Sequence, residues 1–136
     1  MFGGTVGGLH SDIINASPDS KDSATRLITE IKDRAKSSIK FKDYPSAVRL
    51  YDKAIEVSSV AELSANENAI LHANKSMVFL SMNKGADALA AANQAISTDS
   101  TYVKAYYRKA MASIQLADYG EAAAALETVS HSRPLP

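Results

Sequence analysis

The 136-residue chain contains no cysteine, carries no formal net charge and has no long apolar run. Without cysteine it forms no disulfide, no thiolate nucleophile and no cysteine-ligated zinc site. Proteins that bind nucleic acid or anionic membranes usually carry a basic excess, whereas 15 Lys and Arg residues are balanced here by 15 Asp and Glu residues. No apolar run approaches the roughly 20 residues of a membrane-spanning helix, and the N-terminus lacks the pattern of a signal peptide. We therefore expect a cytoplasmic protein whose partner is neither nucleic acid nor a membrane.

Patterns that indicate catalysis or metal binding are also missing. His10, His72 and His131 are scattered, with no carboxylate or second histidine at metal-ligand spacing. No serine lies in the sequence context of an activated nucleophile. The sequence therefore predicts that the chain is not an enzyme and that it uses no cofactor or metal.

Helical periodicity begins after a polar N-terminal segment. Residues 1–22 are rich in Gly, Ser and Asp and are predicted to form a flexible leader. From Ala24 onward, apolar residues recur at steps of three and four, as in amphipathic helices. We expect Asp22 or Ser23 to cap the first helix. Six helices are predicted, over about 24–41, 45–58, 67–83, 86–98, 102–116 and 119–131, so the fold class is all-α.

A small residue recurs in every second helix. Ala47 and Ala88 are 41 residues apart, and Ala88 and Ala122 are 34 residues apart. The second interval equals the period of the tetratricopeptide repeat, which this pattern resembles, and the first fits that period with an insertion within residues 58–67. The resemblance implies a right-handed superhelical solenoid of three helix-turn-helix hairpins. These would form one domain over residues 23–134, with repeats at about 28–61, 69–102 and 103–136.

The first helices of the three hairpins carry polar side chains that we expect to face one groove. Lys32 and Lys36 are four residues apart and therefore share one face of their helix, and Lys104 and Arg108 repeat that spacing. Asn74 lies on the first helix of the second hairpin. The apolar residues expected beside them are Ile70, Met77, Tyr107 and Met111. A groove with these side chains would favour an anion that has an apolar neighbour.

Three segments carry a closer resemblance, namely Ile31-Lys32, Ala73-Asn74-Lys75-Ser76 and residues 102–110. They resemble the carboxylate-clamp class of tetratricopeptide domains, found in co-chaperones such as the heat-shock organising protein and in a serine/threonine phosphatase. The clamp of that family consists of Lys, Asn, Asn, Lys and Arg. Four of these positions are matched by Lys32, Asn74, Lys104 and Arg108, whereas Lys36 replaces the first asparagine.

The resemblance implies a function in protein binding. It implies that the groove binds the acidic C-terminal peptide of heat-shock chaperones of the 70 or 90 kDa class, and that the chain is a monomeric co-chaperone or adaptor. Two alternatives stay open. One is a regulatory domain of a longer phosphatase or prolyl isomerase, which fits the expectation that the chain is a fragment of a longer protein. The other is a general scaffold in which the basic groove is incidental.

Overall fold

The computed structural model of the chain describes residues 8–132, which are helical apart from turns and short connections. The seven helices of this part are α1 Ser11–Ile14, α2 Lys21–Lys40, α3 Tyr44–Val57, α4 Ala65–Ser81, α5 Gly85–Thr98, α6 Val103–Gln115 and α7 Tyr119–Ser132. The all-α class is confirmed, and helices α2 to α7 match the six predicted helices within three residues at each end. Within residues 8–132, no helix is long and apolar enough to cross a membrane.

Serine side chains begin two of the long helices. The prediction that Asp22 or Ser23 caps α2 is wrong, because both residues already lie in the first helical turn. Ser20 is the cap: its backbone is extended, and its hydroxyl accepts the backbone N–H of Ser23 at 3.1 Å. The Ser23 hydroxyl in turn accepts the backbone N–H of Ser20 at 3.2 Å, which satisfies two exposed donors at once. Ser64 and Glu67 form the same reciprocal cap on α4.

Contacts divide the chain into two compact units, Met1–Leu63 and Ser64–Pro136. In the first unit, α2 and α3 pack against each other as a helical hairpin. Ile28, Ile31 and Leu50 are among its buried side chains, with exposures of 3% or less. Ala47 is fully buried, as expected for the small residue of a hairpin contact.

Helix α1, which the sequence did not indicate, is attached to this hairpin. Its Ile13 is buried, and α1 packs on α3. Arg34 of α2 donates to both carboxylate oxygens of Asp12, at 2.9 and 2.8 Å, and to Glu30 at 2.9 Å. The Arg34 guanidinium lowers the pKa of the Asp12 carboxyl below its usual value. The leader was predicted over residues 1–22; residues 1–7 lie outside the described residues, and the boundary at residue 22 stays a prediction.

The second unit contains two hairpins, α4 with α5 and α6 with α7, and α6 also packs on α4 and α5. Small residues lie where these helices approach most closely. The hydroxyl of Ser76 donates to the backbone carbonyl of Ala88 at 2.7 Å, and both residues are fully buried. Ala110 and Ala122, at the matching positions of the next hairpin, are also buried. A side chain larger than serine or alanine would force these helices apart.

Candidate functional site

Three cations of helix α2, Lys32, Lys36 and Arg34, lie on two opposite sides of the helix. Lys32 and Lys36 are exposed and one helical turn apart, and neither has a hydrogen bond or ion pair within the described residues. Arg34 is two residues from Lys32, which places it roughly 200° away around the helix axis. That side of α2 is the one whose cation is paired, with Asp12 and Glu30. The two lysines are therefore available for a ligand.

In the second unit, Arg108 of α6 lies against α4. Its Nη2 donates to the sulfur of Met77 at 3.6 Å, and its guanidinium carbon is 5.7 Å from the centre of the Tyr107 ring. Its Nε is buried and has no acceptor within residues 8–132. A buried donor without an acceptor costs free energy, and an anionic ligand would satisfy such a donor. Arg108 is thus held in place by weak contacts while part of its hydrogen-bonding capacity is unused.

Asn74 and Lys104 complete the polar side chains of this unit. Asn74 precedes Met77 by three residues, so it lies on the face of α4 that Arg108 touches. It is half-buried, and its amide has no partner within the described part of the chain. Lys104 is exposed, equally without a partner there, and one turn before Arg108 on α6. The structure therefore presents an amide, an ammonium and a guanidinium on two helices in contact.

The predicted apolar residues lie along the same helix faces. Ile70 is four residues before Asn74 on α4, and Met111 is three residues after Arg108 on α6. Ile70, Met77 and Met111 are half-buried, and Tyr107 is 42% exposed. Cations beside partly exposed apolar side chains suit a ligand with a carboxylate and a neighbouring apolar group.

Comparisons with known proteins concern the fold and the family of the chain. No protein-family model matches the chain. Serine/threonine-protein phosphatase 5 of Homo sapiens is 34% identical over 113 residues, which are 83% of this chain but only 21% of that protein. The second TPR of Spaghetti (RPAP3), solved bound to the HSP90 peptide SRMEEVD, superposes with a TM-score of 0.71 at 29% identity, covering 83% of this chain and 97% of that one. The TPR2B domain of yeast Sti1, in its complex with pHsp70, gives a TM-score of 0.68 at 26% identity over 77% and 78% of the two chains.

The paired helices, the small residues at their contacts and these likenesses decide the family. This chain is a tetratricopeptide repeat domain. It resembles the tetratricopeptide domains of phosphatase 5, Sti1 and RPAP3. The chain spans about a fifth of the length of phosphatase 5, so the likeness to that enzyme concerns the tetratricopeptide part.

Residues that sequence reasoning missed hold α6 of the tetratricopeptide domain in position. The Asp99 carboxylate accepts hydrogen bonds from the hydroxyl and backbone N–H of Thr101, at 2.6 and 3.0 Å, and from the Asn66 amide at 3.2 Å. These donors, the Thr101 hydroxyl foremost, lower the pKa of Asp99. The Asn66 contact ties the first turn of α4 to the connection before α6. An Asp two residues before a Thr is typical of a local turn, but nothing in the sequence indicated Asn66 as a partner of Asp99.

Tyr102, at the start of α6, is a second neighbour that the sequence did not indicate. It is half-buried, and burial raises the pKa of its phenol, while the positive charge of Arg108 acts in the opposite direction. Arg108 therefore lies near Tyr102 as well as in contact with Met77.

The predicted site residues fall into two groups. Lys32 and Lys36 belong to the first unit, and the other seven, listed here, belong to the second: Ile70, Asn74, Met77, Lys104, Tyr107, Arg108 and Met111. Contact within the second group is observed between Arg108 and Met77. The convergence of both groups on one groove stays a prediction.

Proposed function

We propose that this tetratricopeptide domain binds the acidic C-terminal peptide of a heat-shock chaperone of the 70 or 90 kDa class. It would act as a co-chaperone or adaptor, as a cytoplasmic monomer without catalytic activity of its own. The observation that carries the proposal is the likeness to the second TPR of Spaghetti, which extends over 97% of that chain and was solved with the peptide SRMEEVD. That peptide ends in an aspartate, which brings a side-chain and a terminal carboxylate together on one residue.

The polar side chains described above suit those two carboxylates. In the proposed complex, Lys104 and Arg108 bind one carboxylate, and Lys32, Lys36 and Asn74 bind the other. Charge-assisted hydrogen bonds of this kind are about twice as strong as neutral ones. The unused donors support the proposal, because Arg108 Nε has no acceptor and Asn74 has no partner within the described residues.

The apolar residues would select the residue that precedes the terminal aspartate. In SRMEEVD this residue is valine. Four partly exposed side chains would receive it: Ile70, Met77, Tyr107 and Met111. An aliphatic side chain that enters such a site contributes about 1–3 kcal/mol when it is well buried.

Lys36 distinguishes this domain from the family clamp. An asparagine amide both donates and accepts hydrogen bonds in fixed directions, whereas an ammonium only donates and acts as a point charge on a flexible stem. We therefore expect the preference for anions to be retained and its dependence on salt to be steeper than with asparagine at this position.

The test compares two forms of one peptide. SRMEEVD with a free C-terminus is titrated into the domain by isothermal calorimetry, in parallel with the same peptide amidated at its C-terminus. We expect a micromolar dissociation constant, about −8 kcal/mol, for the free acid, because a flexible tail must be ordered. Amidation should weaken binding at least about tenfold, since it removes one of the two carboxylates. Equal binding of the two forms would refute the clamp and would favour a general scaffold.

A second candidate is a regulatory domain within a longer enzyme. The observation that favours it is the 34% identity to phosphatase 5, of which the matched part is 21%. The complete reading frame that encodes residues 1–136 tests this: a phosphatase or isomerase domain on either side of these residues supports the candidate, and a reading frame without one refutes it.

A further inference from the structure

The row of lysines on α2 continues beyond the proposed clamp. Lys40 follows Lys36 by four residues, so Lys32, Lys36 and Lys40 form one exposed stripe with a step of about 6 Å along the helix. The Lys40 ammonium lies 6.0 Å from the centre of the Phe41 ring. Phe41 itself is 75% exposed, more than any other large apolar side chain of the described residues. The stripe of cations therefore ends at an exposed aromatic ring.

Stability of the isolated domain does not explain this arrangement. Like charges four residues apart on a helix repel each other, and no carboxylate of the described residues pairs with any of these lysines. A lysine in the last turn interacts favourably with the helix dipole, which accounts for Lys40 but for neither Lys36 nor the exposed ring of Phe41. A ligand with spaced negative charges and an apolar group would account for all of them.

The spacing of the stripe matches an extended peptide. Extended chains advance about 3.3 Å per residue and alternate their side chains, so side chains on one side are about 6.6 Å apart. In SRMEEVD, the side chains on the side of the terminal aspartate are that aspartate, the second of the two glutamates and the methionine. The two acids fit the step from Lys36 to Lys40, and the methionine would meet the Phe41 ring, whose centre lies 6.0 Å from the Lys40 ammonium.

We propose that Lys40 and Phe41 form a second specificity subsite for the tail. Lys40 selects an acidic residue two places before the terminal aspartate, and Phe41 selects an apolar residue two places further upstream. This inference rests on the proposed function, because the terminal aspartate must first be held beside Lys32 and Lys36. The other glutamate and the valine point to the opposite side of the extended tail, so Lys40 would not contact them.

The experiment crosses one domain variant with three peptides. Lys40→Gln and the wild type are each titrated with three peptides. These are SRMEEVD itself, SRMEQVD, in which glutamine replaces the glutamate proposed to bind Lys40, and SRMQEVD, in which glutamine replaces the other glutamate. We expect Lys40→Gln to weaken SRMEEVD and SRMQEVD by about two- to fivefold, and to leave SRMEQVD nearly unchanged. Arg26→Gln is the matched control. Arg26 is an exposed cation of α2 ten residues before Lys36, and its replacement by glutamine removes one positive charge, as Lys40→Gln does. A Lys40→Arg variant should restore the preference.

Each other result has a definite meaning. If Lys40→Gln weakens the binding of all three peptides alike, or of none, the proposed subsite is refuted. If its effect disappears with SRMQEVD instead of SRMEQVD, the assigned register is wrong. Phe41→Ser should weaken SRMEEVD about threefold and leave SRAEEVD unchanged, and equal effects on both would refute the contact with methionine. If the wild type does not distinguish SRMEEVD from its amidated form, the proposed function has failed, and this inference fails with it.

Discussion

Ile13 anchors helix α1 to the first unit, and its replacement by alanine measures how much this attachment contributes to stability. The side chain is 5% exposed, and α1 packs on α3. Truncating a buried isoleucine to alanine costs about 2–5 kcal/mol, from lost burial and from the cavity that remains. Helix α1 has only four residues, and so short an element can detach without unfolding the rest, so the loss cannot exceed the free energy of docking α1. We therefore expect Ile13→Ala to lower the free energy of unfolding by about 2–3 kcal/mol.

Urea unfolding followed by circular dichroism measures this change, with the slope m compared between variants. If α1 is already detached in Ile13→Ala, less surface is exposed on unfolding and m is smaller than in the wild type. Leu9→Ala is the matched control, because it removes an aliphatic side chain of equal size four residues earlier. Leu9 is 65% exposed, so its truncation should change stability by no more than about 0.5 kcal/mol.

The reasoning is refuted if Ile13→Ala and Leu9→Ala are indistinguishable. In that case residues 8–14 would not belong to the folded unit, and the flexible leader predicted over residues 1–22 would describe this segment correctly.

Three further predictions concern the second unit. Lys104→Ala and Arg108→Ala should each weaken the binding of SRMEEVD by about 1–3 kcal/mol in calorimetry, while Arg26→Ala changes it little; equal losses in all three would mean unspecific attraction. Ser76→Ala should lower the free energy of unfolding in urea by about 1 kcal/mol more than Ser81→Ala, because only Ser76 donates a buried hydrogen bond to another helix; identical midpoints would contradict this. The pKa of Asp99 is depressed in the folded state, so its contribution to stability is present above its ordinary pKa of 3.8 and is lost as the pH falls through the lower folded value. Stability should therefore fall less steeply with acid in Asp99→Asn than in the wild type, and parallel curves would count against it.

The long helices could be predicted from the sequence because their signals are local. Apolar residues at three- and four-residue steps define each helix, and Pro45 suits the first turn of α3 because its missing N–H is not needed there. The spacing of Ala47, Ala88 and Ala122 indicated three helical hairpins, and all three alanines are buried. The cap of α2 was misplaced, because Ser20, Asp22 and Ser23 all suit a cap and only the backbone conformation distinguishes them.

The candidate site was predictable only within single helices. Two residues four positions apart share a helix face in any fold, so the pairing of Lys32 with Lys36, and of Lys104 with Arg108, needed no tertiary structure. The contact between Arg108 and Met77 joins residues on different helices. Such a contact depends on the packing of α6 on α4, which no local pattern specifies.

The sequence by itself determined an all-helical repeat domain, the bounds of its long helices and which cations lie together on one helix face. The tertiary structure alone decided the docking of α1 through Asp12 and Arg34, the tie between Asn66 and Asp99, and the buried hydrogen bond from Ser76. The physical reason is the range of the interactions. Helix periodicity and caps act within a few residues, whereas a four-residue helix such as α1 is too short to be stable alone and exists only because a distant part of the chain holds it.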